Sequence, residues 1–280
     1  MNSRLISFAN SAVMLEWADD ESAGLADFLF GAASQTGDVE PHIHYLLSYS
    51  VEEDRFHLTS DHPGDKKNAA RGQMALYLME RVTYHLADKS SGGMVFHAAC
   101  LVKDGAALLL PGESGAGKSS LTVWFTRQGW SYLSDELVHL PGDDGDIQGF
   151  PRPIQIKRKM SELFSEIDPG ECLAVHPERG MDSPWLIPAV VLNRGRDLPS
   201  GGFKLRGILF PQFQAGKPFT LDRLSAADCA LRLTGGLVNA RNLPEHGFPQ
   251  LVQLARTYPA AAIRYGHFPE NDDFLKNYLA

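Results

Sequence analysis

Cysteine is scarce in this 280-residue chain: Cys100, Cys172 and Cys229 are far apart and form no C-x-x-C pair. That pattern argues against a disulfide framework or a thiolate zinc site, and it predicts a reduced, cytoplasmic setting. A basic cluster is also missing. Lys and Arg number 26 against 34 Asp and Glu, the net charge is −8, and the cations are scattered. Nucleic acid is therefore not an expected partner. No apolar run approaches the roughly 20 residues needed to cross a bilayer. The opening MNSRLISFANSAVML has one early arginine, and Asn10 and Ser11 interrupt its apolar stretch, so neither a signal peptide nor a membrane partner is expected. There is no low-complexity tract and no repeat. What remains is an ordinary globular composition, 44% hydrophobic and 21% charged, long enough for one large domain or two modest ones.

Periodicity divides the chain near residue 90. Residues 1–90 read as a small α+β accessory unit. IHYLLSYS and RFHLTS are strand-like runs flanking VEED, a hairpin pattern. From Asn68, NAARGQMALYLMERVTYHLADK spaces Met74, Tyr77, Leu78, Arg81, Val82 and His85 as on one helix, and SSGG ends it. This portion holds no catalytic motif and reads as a packing or oligomerisation module, which leaves a homo-oligomer open.

Residues 91–280 carry the chemistry. In MVFHAACLVKDGAALLLPG two apolar runs flank Asp104-Gly105, a strong signal for a two-residue hairpin turn. Counting back from that turn, Lys103 faces Ala106, Leu101 faces Leu108, Ala98 faces Pro111, and His97 falls opposite Gly112. The run then enters Gly112-x-x-x-x-Gly117-Lys118-Ser119, a full P-loop between a strand and an amphipathic helix. Glycines let consecutive N–H groups face phosphate oxygens, and the helix N-terminus adds a favourable dipole. Gly112, Glu113, Ser114, Gly115, Ala116, Gly117, Lys118, Ser119 and Ser120 form the expected nucleotide cradle. Lys118 would neutralise the β- and γ-phosphates and the Ser119 hydroxyl would ligate Mg²⁺, so ATP and Mg²⁺ are the implied ligands. A glycine-rich turn with a solvated lysine is the plain alternative.

Asp135-Glu136 follows on the next strand-like run, SYLSDELVHL, with Glu136 seventeen residues beyond Ser119. One acid there suits Mg²⁺ and the other the proton of an attacking hydroxyl; a solvated strand end is the alternative. His97, by its register, is a candidate to contact the γ-phosphate or tune the neighbouring acid. Farther on, PRPIQIK is extended, KMSELFSEI helical, WLIPAVVLN and FKLRGILFP strand-like. Helical patterns at 225–234, 246–257 and 269–279 flank a short strand, AAIRYG. Arg152 and Arg206 lie on extended segments as candidate substrate or phosphate contacts, with a solvated or salt-bridged arginine as the alternative.

Other P-loop classes fit poorly. No L-S-G-G-Q element occurs, and NRGRD at 193–197 lacks the N-K-x-D spacing of guanine readers. Small-metabolite kinases of the shikimate type place an acid at similar spacing but usually begin with the P-loop, whereas here 111 residues precede it.

The succession of His97, a hairpin, Gly112-Glu113-Ser114-Gly115-Ala116-Gly117-Lys118-Ser119 and Asp135-Glu136 resembles the HPr kinase/phosphorylase family. That family's pattern is a histidine, a hairpin, G-[DE]-S-G-x-G-K-S and a paired acid. The resemblance covers residues 94–140; FPRPIQIK, RGILFPQF and LDRLSAADCALRL look like its HPr-kinase-related branch. It implies an α/β fold with α+β elements: a mixed-sheet P-loop kinase core of the phosphoenolpyruvate-carboxykinase type, preceded by the small α+β unit. It also implies an ATP- and Mg²⁺-dependent kinase acting on a Ser or Thr hydroxyl of a peptide or small protein. In the family the second acid is the base, a place that Glu136 takes with one extra methylene, and Asp135 is the magnesium partner. Either acid remains a candidate base. A small-metabolite kinase and a nucleotide-sensing regulator without phosphoryl transfer are the competing readings.

Overall fold

The computed structural model of the chain describes residues 2–33, 39–142, 145–157, 164–176, 183–199, 202–275 and 278. They group into two compact units, Met1–Ser90 with Pro151–Val191, and Ser91–Phe150 with Leu192–Ala280. Sequence periodicity suggested one boundary near residue 90. The segment 151–191 is a second, in which chain from the middle of the sequence groups with the N-terminal residues.

The first unit opens with a hairpin of β1 (Asn2–Phe8) and β2 (Ser11–Trp17), turning through Ala9 and Asn10 at φ of 49° and 59°. Two successive positive φ angles match the right-handed strand twist, as tight hairpins require. Helix α1 (Asp20–Phe30) crosses over to β3 (His44–Ser50), which runs parallel to β2. The expected hairpin follows as β3 with β4 (Arg55–Ser60), and β5 (Lys67–Ala69) completes the order β1-β2-β3-β4-β5. Helix α2 (Arg71–Lys89) buries Met74, Leu78, Val82 and Leu86, one residue per turn.

A polar network ties the β4–β5 loop to this helix. Buried Asp65 accepts from the Tyr45 hydroxyl at 2.6 Å and lies 2.7 Å from His85 Nε2 and 2.8 Å from Arg81 Nε. Burial alone would raise the Asp65 pKa, but these three donors outweigh it and hold the carboxyl below its usual range. Burial lowers the pKa of His85 despite the nearby carboxylate. Both shifts act with the same sign. Below His85's ordinary value of 6.5 the unfolded chain takes up the proton first, so stability falls as pH drops toward the folded value. Asp65 contributes stability above its ordinary value of 3.8, and that is lost as pH falls through the depressed folded value. Asp65→Ala strands Arg81 and Tyr45 without their acceptor and is expected to destabilise this unit by about 3 kcal/mol. Denaturant unfolding of variant and parent between pH 5 and 8 checks the mutational loss and the His85 dependence; an unchanged midpoint would show that the network contributes nothing.

In the second unit, β6 (Gly93–Lys103) and β7 (Ala106–Pro111) join through Asp104 and Gly105, at φ of 52° and 74°. The register is the one counted from that turn, Lys103 opposite Ala106 through Ala98 opposite Pro111. Helix α3 (Lys118–Arg127) follows the glycine-rich loop. SYLSDELVHL, expected as one strand, is two: β8 (Ser131–Ser134) and β9 (Leu137–Pro141), each antiparallel to β6. Then come β10 (Gln148–Gly149) and, within the inserted segment of the first unit, β11 (Ile154–Lys157), β12 (Leu173–Ala174) and β13 (Pro184–Ile187). WLIPAVVLN is also divided. The strand ends at Ile187, and a short helix, Ala189–Leu192, starts after Pro188, which has no N–H for a ladder and a φ suited to a first helical turn. Most of KMSELFSEI and residues 143–144 of the PGDDGD turn lie outside the described residues; of the tail pattern 269–279, expected as a helix, the described residues form a single 3-10 turn, Asp273–Leu275.

The chain returns to the main sheet through β14 (Lys204–Phe213), β15 (Thr220–Arg223) and β16 (Ala260–Tyr265). Strand order is β10-β9-β6-β7-β14-β16-β15, with β8 also on β6. β14 pairs in parallel with both β7 and β16, and the other pairings are antiparallel, so the sheet is mixed. Alternate residues feed cores on its two faces. Phe96, Ala98, Cys100, Ala107 and Leu109 pack with Cys229, Leu233, Leu251 and Leu254 of helices Ala226–Thr234 and Phe248–Thr257. Ala99, Leu101, Leu108 and Leu110 pack with Leu121, Trp124 and Phe125 of α3. Both cores hold β7 and the second also holds α3, so the loop between them is held at both ends. Among the described residues no helix is long and apolar enough to cross a membrane.

Candidate functional site

The loop Gly112–Gly117 leaves the carboxyl end of β7 and turns into α3 with Gly117 as a left-handed N-cap, φ 92°. Gly117 has no space for a side chain. A Cβ there would run into the Tyr265 hydroxyl, and the Phe213 Cβ would lie 3.0 Å away. The loop is pinned from this side: Tyr265 Oη donates to the Gly117 carbonyl at 2.9 Å, and the Phe213 amide to the Ala116 carbonyl at 2.9 Å. Gly115, at φ 86°, meets open space instead. The first amides of α3, from Lys118 to Ser120, have no acceptor within the helix by its geometry, so they face the loop as donors.

Substituting Gly117 by Ala tests this fit. A left-handed φ and a displaced Tyr265 together predict a loss of roughly 1–3 kcal/mol in stability. Thermal unfolding of Gly117→Ala reads that loss, and an unchanged midpoint would mean that the tight approach is easily relieved.

Lys118 is buried, 7% exposed. Its Nζ donates to the carbonyls of Gly112 and Glu113. Burial depresses its pKa, and the charges of Glu136 and Asp135 offset part of that effect. So the ammonium already lies in the field of both acids. Ser119 Oγ and Asp135 Oδ2 are 3.5 Å apart, and Tyr132 donates to the other Asp135 oxygen at 3.2 Å. On the far side of the pair, His97 Nε2 lies 3.7 Å from Glu136 Oε1.

Both acids reach the loop because the strand breaks at them. Ser134 Oγ accepts from the Glu136 amide at 3.2 Å and donates to the Phe150 carbonyl at 3.0 Å. A serine side chain that binds the amide two residues on offers the backbone an alternative to the ladder, which is how such residues make turns. In an unbroken strand, adjacent side chains would point to opposite faces. The bend removes that constraint, so Asp135 turns to Ser119 and Glu136 to His97.

The donor set suits the ligands implied by the P-loop. A hydroxyl and a carboxylate make a hard-oxygen pair of the kind that Mg²⁺ binds with several waters and substrate phosphates. Two carboxylates beside a polyphosphate would repel it unless a cation lay between them.

Of the two candidate arginines, Arg206 lies away from the loop. Arg206 is exposed at the bulge between Leu205 and Gly207, at the end of β14 beside the Asp104-Gly105 turn. That is the opposite end of the strand from the loop, so Arg206 does not line it. Arg152 is buried and belongs to the segment that groups with the first unit.

No family model matches the chain. Over 79 residues, 28% of this chain, it is 30% identical to the HPr kinase/phosphorylase of Clostridium botulinum strain Eklund 17B and to that of strain Alaska E43. The match spans about a quarter, 26%, of each relative's length. A solved Hpr(Ser) kinase/phosphatase from Coxiella burnetii aligns with 66% of this chain and 86% of its own, at 13% identity and a TM-score of 0.29. The likeness in sequence is therefore local.

Three supports of the site had no sequence signal. Tyr265 lies 148 residues from Gly117, and Ser134 reaches Phe150 sixteen residues on. Tyr132 precedes Asp135 by three residues, but inside an apolar run it reads as a core residue.

Proposed function

We propose that the chain is an ATP- and Mg²⁺-dependent kinase that phosphorylates a Ser or Thr hydroxyl on a peptide or small protein. The observation that carries this reading is the bend at Asp135-Glu136. It sets one carboxylate against the Ser119 hydroxyl at 3.5 Å and the other near His97 at 3.7 Å, beside a buried Lys118. The local sequence match to HPr kinase/phosphorylase supports the same class.

Each residue then has a role. Loop amides and the α3 N-terminus cradle the phosphates, and Lys118 meets the charge on the transferring group. Ser119 and Asp135 would hold Mg²⁺, which when bound neutralises charge on the β- and γ-oxygens. Glu136 accepts the acceptor's hydroxyl proton as its oxygen bonds to the γ-phosphorus; the bond to the β–γ bridging oxygen breaks and ADP leaves. His97, beside Glu136, orients that carboxylate.

Incubation with γ-labelled ATP, Mg²⁺ and a panel of peptides, small proteins and hydroxylated metabolites tests the proposal. Label on a peptide or protein hydroxyl is expected. Label confined to a metabolite would make the chain a metabolite kinase, and tight ATP binding with no transfer would make it a nucleotide sensor.

A further inference from the structure

The second unit exposes a large aromatic residue where a nucleotide emerges from the loop. Phe213 is 45% exposed, although it ends a strand whose preceding residues, Ile208 to Phe210, are buried. Register fixes its level. β14 runs parallel to β7 with Ile208 opposite Leu109, so Phe213 extends past the level of Pro111 by three residues, about 10 Å, and lies alongside the phosphate loop. Its amide donates to the Ala116 carbonyl, and its Cβ lies against Gly117.

The flank is also the right one. The acids sit beside β6, on one side of β7; β14 and β16 lie on the other. A nucleotide whose γ-phosphate faces Asp135 and Glu136 must lead its sugar and base away from them. In open α/β sheets ligands lie outside the carboxyl ends of parallel strands, and here those ends belong to β7, β14 and β16.

This flank is rigidly built. The Phe213 ring sits edge-on to Tyr265, with centroids 5.6 Å apart at 65°. The turn after β14 folds against the end of β16, where the Gln214 amide donates to the Tyr265 carbonyl at 2.8 Å and the Lys217 amide to the Gln214 carbonyl at 3.0 Å. A Cβ on Gly266 would lie within 2.6–2.7 Å of the Lys217 and Gly216 nitrogens and the Gln214 oxygen, so only glycine allows this turn to close. An aromatic ring is thus held at one edge while much of its surface faces solvent.

We propose that Phe213 is the platform on which the purine base of the nucleotide stacks. This rests on the nucleotide reading of the loop and adds to it a residue that tells a nucleotide from a bare polyphosphate. Every base presents a π-face, and aromatic stacking of this kind contributes enough that truncation to alanine weakens binding by about five- to a hundredfold.

The test compares Mg·ATP with Mg·tripolyphosphate, which has no base, as ligands of the parent, Phe213→Ala and Phe213→Tyr by calorimetry. Alanine keeps the Cβ against Gly117 and the amide to Ala116, so the loop retains its support. The expected result is roughly tenfold weaker ATP binding by Phe213→Ala, unchanged tripolyphosphate binding, and recovery of ATP affinity in Phe213→Tyr. Equal weakening toward both ligands would make Phe213 a prop for the loop and overturn the proposal, as would no change toward either. A parent that binds neither ligand would instead remove the nucleotide reading itself, and the platform with it.

Discussion

Lys118→Ala should lower phosphoryl transfer by about a hundredfold or more, while the variant stays folded. The rate effect follows from position. Lys118 is the cation that opens α3, buried and in the field of Glu136 and Asp135, where charge on a transferring phosphoryl would develop. A preorganised group in a site sheltered from water needs no reorganisation at the moment of reaction, and removing one such group commonly costs about 10²-fold in rate. The fold should tolerate the change. Alanine is the best helix former, and the ammonium contacts two loop carbonyls, not an apolar core. Losing those donors leaves two carbonyls that water can reach once the long side chain is gone. Single-turnover rates with saturating ATP, together with a melting curve, check both halves. A folded variant with full activity would end the kinase reading.

The second large effect separates the two acids. Glu136→Gln should bind Mg·ATP with near-normal affinity and turn over slowly, by about 10²-fold or more, because only the proton acceptor is lost. Asp135→Asn should bind Mg·ATP poorly as well, since it removes the carboxylate that faces Ser119. A base acts only in the transition state, whereas a metal partner acts in the ground state too. Calorimetry of both variants beside a turnover assay decides the roles. If Asp135→Asn binds well and turns over slowly, the roles are exchanged; if neither change affects turnover, the acids are a solvated bend.

Much of the site is legible in the sequence where its geometry is local. The Asp104-Gly105 turn sets the register of β6 on β7, and strict alternation carries that register six residues back to Ala98 and Pro111. His97 comes to the acids through another pairing, that of β6 with β9, in which it lies opposite Leu137, next to Glu136. The P-loop is likewise a contiguous motif whose strand and helix flank it directly. Where a distant group decides, the sequence is silent. SYLSDELVHL alternates well enough for one strand, and the break at the acids depends on Ser134 finding the Phe150 carbonyl. Arg206 lies on the strand that was expected, but at its other end, because its level is set by pairing with β7. The grouping of 151–191 with the N-terminal residues has no linker signature, and Pro151 and Pro153 read equally well as loop within one domain. Asp65, inside a polar loop, looks solvated until Tyr45, Arg81 and His85 converge on it from other elements.

If the site moves a phosphoryl group to a hydroxyl, the chemical form of the transferred label reveals it. Acceptor proteins incubated with the parent chain, Mg²⁺ and γ-labelled ATP are hydrolysed, and their phosphoamino acids are separated. The expected label is phosphoserine or phosphothreonine, absent without Mg²⁺ and reduced about a hundredfold or more with Lys118→Ala. Label that persists at full level with the folded Lys118→Ala chain, or no labelled hydroxyl on any acceptor although Mg·ATP binds, would contradict it.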